Sequence, residues 1–277
     1  MLSQEQFSAL SNLLKDETAV VLDAGKEYLV ESRLCSLMKE EGFPSLTELI
    51  HAVLQKSNPL LNKKVLLALT TNETSFFRDL APFELLKTSV LPELIKNRAQ
   101  TKTLTIWSAA CSTGQEPYSL AMTLKDNFPE LDSWKVKILA SDLNPNVVAR
   151  ARQGIYSALE VNRGLPIQLL IKHFTQHGED FHINDGIKGW MSFFEQNLIA
   201  PWPVTQMDVL FMRNVLIYFD TETKRQLFEK VKTILAPDGY LFLGTAETPY
   251  RIVEGFEKVT GAANVYRRER TKEEKKE

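Results

Sequence analysis

Apolar residues change their spacing along this chain, and each change marks a boundary. Over residues 1–70 they recur at intervals of three and four: Phe7, Leu10, Leu13 and Leu14, then Tyr28, Leu29, Leu34, Leu37 and Met38. That period places them on single faces of helices. Gly42 stands where the second helix should stop, and Ser45 with Glu48 after it reads as a capping box opening "LTELIHAVLQKS". Asn58-Pro59 breaks the run before one more short helix in "LLNKKVLLALT". No stretch reads as a strand, so residues 1–70 are expected to form a small all-helical domain.

From Leu104 the pattern becomes continuous apolar runs. Leu104 to Trp107 and Val136 to Ala140 read as buried strands, with a helix from Glu116 to about Phe128 between them. This is a β-α-β unit, and strands buried on both faces belong to a parallel sheet. The rhythm resumes with a strand at Val209 to Met212, a helix capped by Thr221 and stopped by Pro237, the strand "YLFLGT", and final strands within "FEKVTGAANVYRRE". Between about 157 and 190 it lapses. A helix from Ile167 to His173 is followed by weak alternation with turn residues Gly178, Asp185 and Gly186, which predicts a small inserted antiparallel β-subdomain. The expected fold is therefore α/β, a doubly wound Rossmann-like sheet over residues 86–266. Residues 71–85 are a linker, and 267–277 a charged tail read as solvated disorder.

Composition narrows the function classes. With 277 residues and 44% hydrophobic content the chain can bury a sizeable core. A net charge of -2, from 33 basic and 35 acidic residues, argues against binding nucleic acid through global charge. No apolar run approaches the roughly 20 residues of a membrane span, and the start "MLSQEQFSALSNLLKDE" is unlike a signal peptide, so a cytoplasmic protein without membrane insertion is expected. Cys35 and Cys111 suggest no disulfide framework. His173, His177 and His182 fall in the insertion without a completing ligand, so they read as packing or surface residues and no metal is expected.

Candidate chemistry gathers around the first β-α-β unit. The turn "SAACSTGQEP" is small until Gln115, which lets a ligand approach the backbone at a helix start. Asp142 follows the second strand, where Rossmann-like folds place the acid that holds a ribose. The G-x-G-x-x-G spacing of a pyrophosphate cradle is missing, which points to S-adenosylmethionine, a nucleoside without phosphate. Glu116, Asp142, Asn197 and Asn214 all stand beyond strand carboxyl ends, where open α/β sheets bind ligands. In the linker, Asn72, Thr74 and Arg78 crowd beside Phe76 and Phe77, which favours a binding segment over simple caps and solvated charge.

The motifs "TNETSFFRD", "SAACSTGQEPYSLAM", "ASDLNPNVVARARQGIY", "FFEQNL", "FMRNVLIYFD" and "LAPDGYLFLGTAE" closely resemble the chemotaxis receptor methyltransferases of bacteria, in matching order over all but the tail. The resemblance implies methyl transfer from S-adenosylmethionine to glutamates on the cytoplasmic methylation helices of chemoreceptors, leaving S-adenosylhomocysteine. It implies a cofactor site of Asn72, Thr74, Arg78, Glu116, Asp142, Asn197, Leu198, Asn214 and Val215. The donor chemistry of Arg78, a fixed fork, and of Tyr218, a single hydroxyl, makes these two the candidates for orienting the substrate carboxylate. A core position for Tyr218 fits its spacing nearly as well. Other open readings are a methyltransferase for another protein or small molecule and a noncatalytic cofactor-sensing module. Two departures from the family are visible. The helix at residues 26–41, arginine-rich in enteric members, here mixes Lys26, Arg33 and Lys39 with Glu27, Glu31, Glu40 and Glu41. The insertion's "TQHGEDFHIND" has a single glycine, so an enzyme without a receptor-tail pentapeptide tether is expected. A monomer is expected.

Overall fold

The computed structural model describes residues 2–261 and 264–269, and these form two compact units. One comprises the described residues up to Thr71 together with Tyr218–Lys224, and the other the rest. The expected tail lies, from residue 270 on, outside the described residues.

The first unit contains α1 (Gln4–Thr18), α2 (Glu27–Glu40), α3 (Leu46–Leu54) and α4 (Pro59–Ala68). The predicted apolar faces meet in one core that includes Leu10, Leu14, Val30, Leu34, Leu49, Val53 and Val65. Helix α1 carries a full capping box, Ser3 with Gln6. At α3 only half of the expected box forms: the Glu48 N–H donates to Ser45 Oγ at 3.2 Å, while the Glu48 carboxylate sits by that same hydroxyl. Gly42 takes φ 74° just past α2, as a terminating glycine should. The Val21 N–H donates to the Tyr218 carbonyl at 2.8 Å, and Lys15 pairs with Asp220 at 2.8 Å.

The second unit opens with α5 (Ala81–Leu85) and α6 (Leu91–Asn97), then β1 (Thr103–Ala109), α7 (Gln115–Asn127), β2 (Lys135–Asp142) and α8 (Pro145–Gln153). The chain continues through β3 (Ile155–Ser157), α9 (Ala158–Asn162), α10 (Ile167–His173), β4 (Phe174–His177), β5 (Asp180–Ile183) and α11 (Asp185–Lys188). It returns through β6 (Met191–Glu195), β7 (Met207–Met212), α12 (Thr221–Ile234, whose first residues belong to the other unit), β8 (Leu235–Leu243), β9 (Phe256–Lys258) and β10 (Val265–Arg268). Seven strands form one sheet in the order β6-β2-β1-β7-β8-β10-β9, parallel except where β10 pairs antiparallel with β8 and β9. The doubly wound α/β sheet and the antiparallel insertion, β3-β5-β4, are both present.

All six residues of β7 are buried, the signature of a central parallel strand. Each such Val, Leu or Phe stabilises the fold by roughly 1.5–3 kcal/mol. Order reverses at β1: the chain leaves it for β2 on one side and later adds β7 on the other. The connections leaving the carboxyl ends of β1 and β7 therefore run to opposite sides, and such a point is where these sheets bind ligands.

Two local expectations need correction. Helix α12 begins at Thr221, but the cap is Asp220, whose Oδ1 accepts the Thr223 N–H at 2.8 Å. A carboxylate there also suits the helix dipole. Nor does Pro237 stop that helix, which ends at Ile234; Pro237 lies within β8, where the register with β7 shifts between Met207 and Val209. A proline lacks the ladder N–H, so it falls at such an irregularity.

Candidate functional site

After β1 the chain makes a turn that requires small residues. Ala110, Ser112 and Gly114 take φ values of 63°, 51° and 96°. At Gly114 a Cβ would fall 2.9 Å from Ala151 Cβ and 3.0 Å from the Tyr156 hydroxyl, so only glycine fits. Three hydrogen bonds fix the turn: the Cys111 N–H to the Ser141 carbonyl, the Ser112 hydroxyl to the Asn72 carbonyl at 2.6 Å, and the Tyr156 hydroxyl to the Thr113 carbonyl at 2.8 Å. Linker, turn and inserted subdomain thus share one junction. Phe76 fills it, edge-on to Tyr156 at 5.0 Å and to Phe174 at 5.7 Å.

Asp142 ends β2 and is 8% exposed. Its Oδ2 accepts the Ser112 N–H at 2.8 Å and its Oδ1 the Asn144 N–H at 3.0 Å. Burial pushes its pKa up, while these N–H groups and that of Leu143 pull it down. An ionised carboxylate has about four acceptor positions, so acceptor capacity remains for a ligand. Two parallel acceptors suit a ribose diol, and the residues present fit the nucleoside.

Glu116, in the first turn of α7, is engaged on both oxygens: Oε1 accepts the Ser108 hydroxyl at 2.8 Å and Oε2 faces Arg213 Nη1 at 2.9 Å. Arg213 follows β7, and its side chain is 1% exposed. Its Nη2 donates to Asp79 Oδ2 at 2.8 Å and to the Arg78 carbonyl at 3.0 Å. One guanidinium therefore ties α7 to the linker loop. The site candidates of the sequence do not include it, although its position at the end of a central strand is a usable signal.

Arg78 sits on a strained loop, between Phe77 at φ 48° and Asp79 at φ 62°. The Phe77 N–H donates to Ser119 Oγ at 3.0 Å, and Arg213 holds the Arg78 carbonyl, so the loop is pinned at both flanks. The half-buried Arg78 side chain makes one hydrogen bond, to the Glu73 carbonyl at 3.2 Å. Asn72 and Thr74 line a cavity of about 430 Å³ with Thr113, Gln115, Arg150 and Arg163.

Beyond β6, the Asn197 Oδ1 accepts the Ile199 N–H at 3.2 Å, and Lys230 Nζ donates to the carbonyls of Leu198, Ile199 and Ala200 at 3.1, 2.7 and 3.0 Å. Burial lowers the Lys230 pKa. Leu198 itself is buried. Beyond β7, Asn214 takes φ 59° and its N–H meets the buried Glu247 carboxylate at 2.9 Å; Val215 beside it is half-buried. Asp142, Glu116 and Arg78 are thus joined by direct bonds to one turn and one arginine, with Asn72 hydrogen-bonded to the same turn. Tyr218 is half-buried in a short helical turn, Leu216–Tyr218, and belongs to the other unit.

Cys111 is buried, and burial with the nearby Asp142 and Glu116 carboxylates raises its pKa well above the usual thiol value. A thiol so disfavoured as thiolate is a packing residue. His173 donates to or accepts from Asp126 at 2.7 Å, and the His177 and His182 rings lie 4.5 Å apart. No described helix is long and apolar enough to cross a membrane.

Known proteins give the same outline. Residues 72–265 match the family described as CheR methyltransferase, SAM binding domain, and residues 5–70 match CheR methyltransferase, all-alpha domain. Chemotaxis protein methyltransferase 1 of Pseudomonas aeruginosa is 39% identical over 259 residues, covering 91% of this chain and 93% of that protein. Chemotaxis protein methyltransferase Cher2 of Pseudomonas putida is 37% identical, covering 88% and 89%. The chemotaxis protein methyltransferase of Vibrio parahaemolyticus is 35% identical, covering 93% and 94%.

Proposed function

Because the chain belongs to the CheR methyltransferase family, and so is an S-adenosylmethionine-dependent methyltransferase of chemotaxis type, we propose that it methylates glutamate side chains on the cytoplasmic methylation helices of bacterial chemoreceptors. S-adenosylmethionine supplies a methyl group on a sulfonium, and the products are a glutamyl methyl ester and S-adenosylhomocysteine. The observation that carries the reading is the join of Asp142, Glu116 and Arg78 through the 110–114 turn and Arg213.

Asp142 holds the ribose with the acceptor positions its backbone partners leave free. Glu116, anchored by Ser108 and Arg213, presents negative charge toward the cationic end of the cofactor. Asn72, Thr74, Asn197, Leu198, Asn214 and Val215 complete the lining, with the asparagine amides serving polar edges of the nucleoside and the amino acid. A glutamate, with an ordinary pKa of about 4.3, is ionised at neutral pH and attacks without a general base. Catalysis then rests on orientation and on excluding water. Arg78 orients the substrate carboxylate through its fork of donors.

Arg33 bears on how the receptor docks. Its Nη1 donates to the Leu69 carbonyl at 2.5 Å and its Nη2 to Thr71 Oγ1 at 2.8 Å, and Lys26 pairs with Asp23 at 2.6 Å. Two of the three basic groups on this helix are thus engaged internally, which supports weak docking through α2. In the insertion, β4 and β5 are joined by Gly178 and Glu179 alone, which supports an enzyme that needs no receptor-tail peptide.

The test is tritium transfer from labelled cofactor to a receptor cytoplasmic fragment, with release of label by mild base. Base-labile label is expected. Cofactor binding without transfer would instead identify a noncatalytic module, and label on another acceptor a different substrate.

A further inference from the structure

Glu247 is a buried carboxylate, 5% exposed, and its partners are main-chain N–H groups. Oε2 accepts from Asn214 at 2.9 Å and Gly244 at 2.6 Å, while Oε1 accepts from Leu216 at 2.8 Å. Burying an acid is costly, and burial pushes its pKa up; the N–H groups offset this by favouring the ionised form. An apolar residue in its place would leave these N–H groups without an acceptor. What the carboxylate adds is geometry: it ties the end of β8 to the turn after β7.

In that turn Asn214 is left-handed at φ 59°, a conformation asparagine adopts more readily than most side chains. Its side-chain amide also packs over Gly244: a Cβ there would fall 2.9 Å from Asn214 Nδ2, 2.9 Å from Asn214 N and 2.7 Å from Glu247 Oε2. On the far side, Asn264 Nδ2 donates to the Gly244 carbonyl at 2.7 Å, and the Leu243 N–H donates to the Asn264 carbonyl at 2.9 Å. Strand ends, turn and acid therefore form one closed set of hydrogen bonds around Asn214.

We infer that Glu247 is a positioning residue for cofactor binding, acting through Asn214 and Val215, with Gly244 as the space that lets it do so. The inference rests on the reading that Asn214 belongs to the cofactor site. A glutamine has one acceptor oxygen, so it cannot serve N–H groups on both sides, and its own NH2 opposes one of them.

Calorimetric titration of the full chain with S-adenosylhomocysteine tests it, with near-ultraviolet circular dichroism as the check on folding. Glu247→Gln is expected to weaken binding about tenfold, because the turn that carries Asn214 is no longer held in its binding geometry. Gly244→Ala keeps the acid but displaces Asn214, and should weaken binding likewise; it decides the matter if Glu247→Gln fails to fold. In an Asn214→Ala background the Glu247→Gln penalty should largely vanish, which mere loosening of the fold would not produce. Wild-type affinity in the folded Glu247→Gln and Gly244→Ala proteins, with Asn214→Ala weakened, would overturn the inference alone. Full additivity of the two penalties would do the same. Wild-type affinity in Asn214→Ala would remove the underlying assignment as well.

Discussion

Arg213 and Glu116 meet at 2.9 Å beyond the carboxyl ends of β1 and β7, an ion pair in which the arginine side chain is 1% exposed and the glutamate 12%. Truncating one partner of such a pair leaves the other buried and uncompensated, a loss of about 3–5 kcal/mol. Arg213→Ala should therefore shift the urea unfolding midpoint sharply downward. Arg213→Lys should fall between the two, since one ammonium cannot serve Glu116, Asp79 and the Arg78 carbonyl together. An unshifted midpoint in Arg213→Ala would mean the pair is not held as described.

Asp142→Ala is expected to abolish cofactor binding, as read by calorimetry. The pH dependence of the wild-type protein follows from the raised pKa of this acid. Hydroxyls need an ionised acceptor, so affinity for S-adenosylhomocysteine should be level near neutral pH and fall on acidification. The fall should begin above the value of about 3.9 at which an ordinary aspartate titrates. For stability the direction reverses. A carboxyl raised by folding keeps its proton longer in the folded chain, so its contribution is fully present below the unfolded value and is lost as pH rises through the folded one. Affinity that stays constant into the range of ordinary aspartates would contradict the account.

Arg78→Ala should reduce methyl transfer by roughly a hundredfold or more, the scale on which misplaced reactants slow a reaction. The helical content of residues 1–70 should be unchanged by circular dichroism. Turnover equal to wild type would remove Arg78 from the reaction.

Gly114→Ala places a methyl group 2.9 Å from Ala151 Cβ in a residue at φ 96°. Overpacking costs about 1–3 kcal/mol and the positive φ adds to it. A lowered melting temperature is expected together with weakened cofactor binding, because this glycine starts α7. Retention of both would show that the turn relaxes freely.

A thiol reagent should modify Cys35, which is exposed, and spare the buried Cys111 in the native protein. Both should react after unfolding. Two reactive thiols under native conditions would place Cys111 at the surface.

The sequence discloses the strands, the helices and most polar candidates because period and position carry them. Val209 to Met212 reads as buried since all four residues are apolar, and Asp142 is conspicuous as the acid that follows such a run. What it hides are partnerships between distant residues. Nothing local shows that Arg213 reaches Glu116 and Asp79, or that Glu247 collects N–H groups from Asn214 and Leu216. Nor does propensity separate Thr221 from Asp220 as a cap, since both residue types serve. The loop around Arg78 is hidden for a further reason: Phe77 and Asp79 are left-handed without being glycine, a conformation imposed by Arg213 and Ser119 from elsewhere in the fold.

The three-stranded sheet leaves the main fold after α8 and rejoins it at β6, the edge of the seven-stranded sheet. An edge strand pairs on one side, so what precedes it can lengthen, shorten or be exchanged without breaking the ladder between β2, β1 and β7. Tyr156, Phe174 and His173 would have to keep their places, since they bond to or pack against the turn, Phe76 and Asp126. In engineering terms the hairpin tip at Gly178 and Glu179, exposed and with open space around Gly178, is where the insertion can be altered without disturbing that junction.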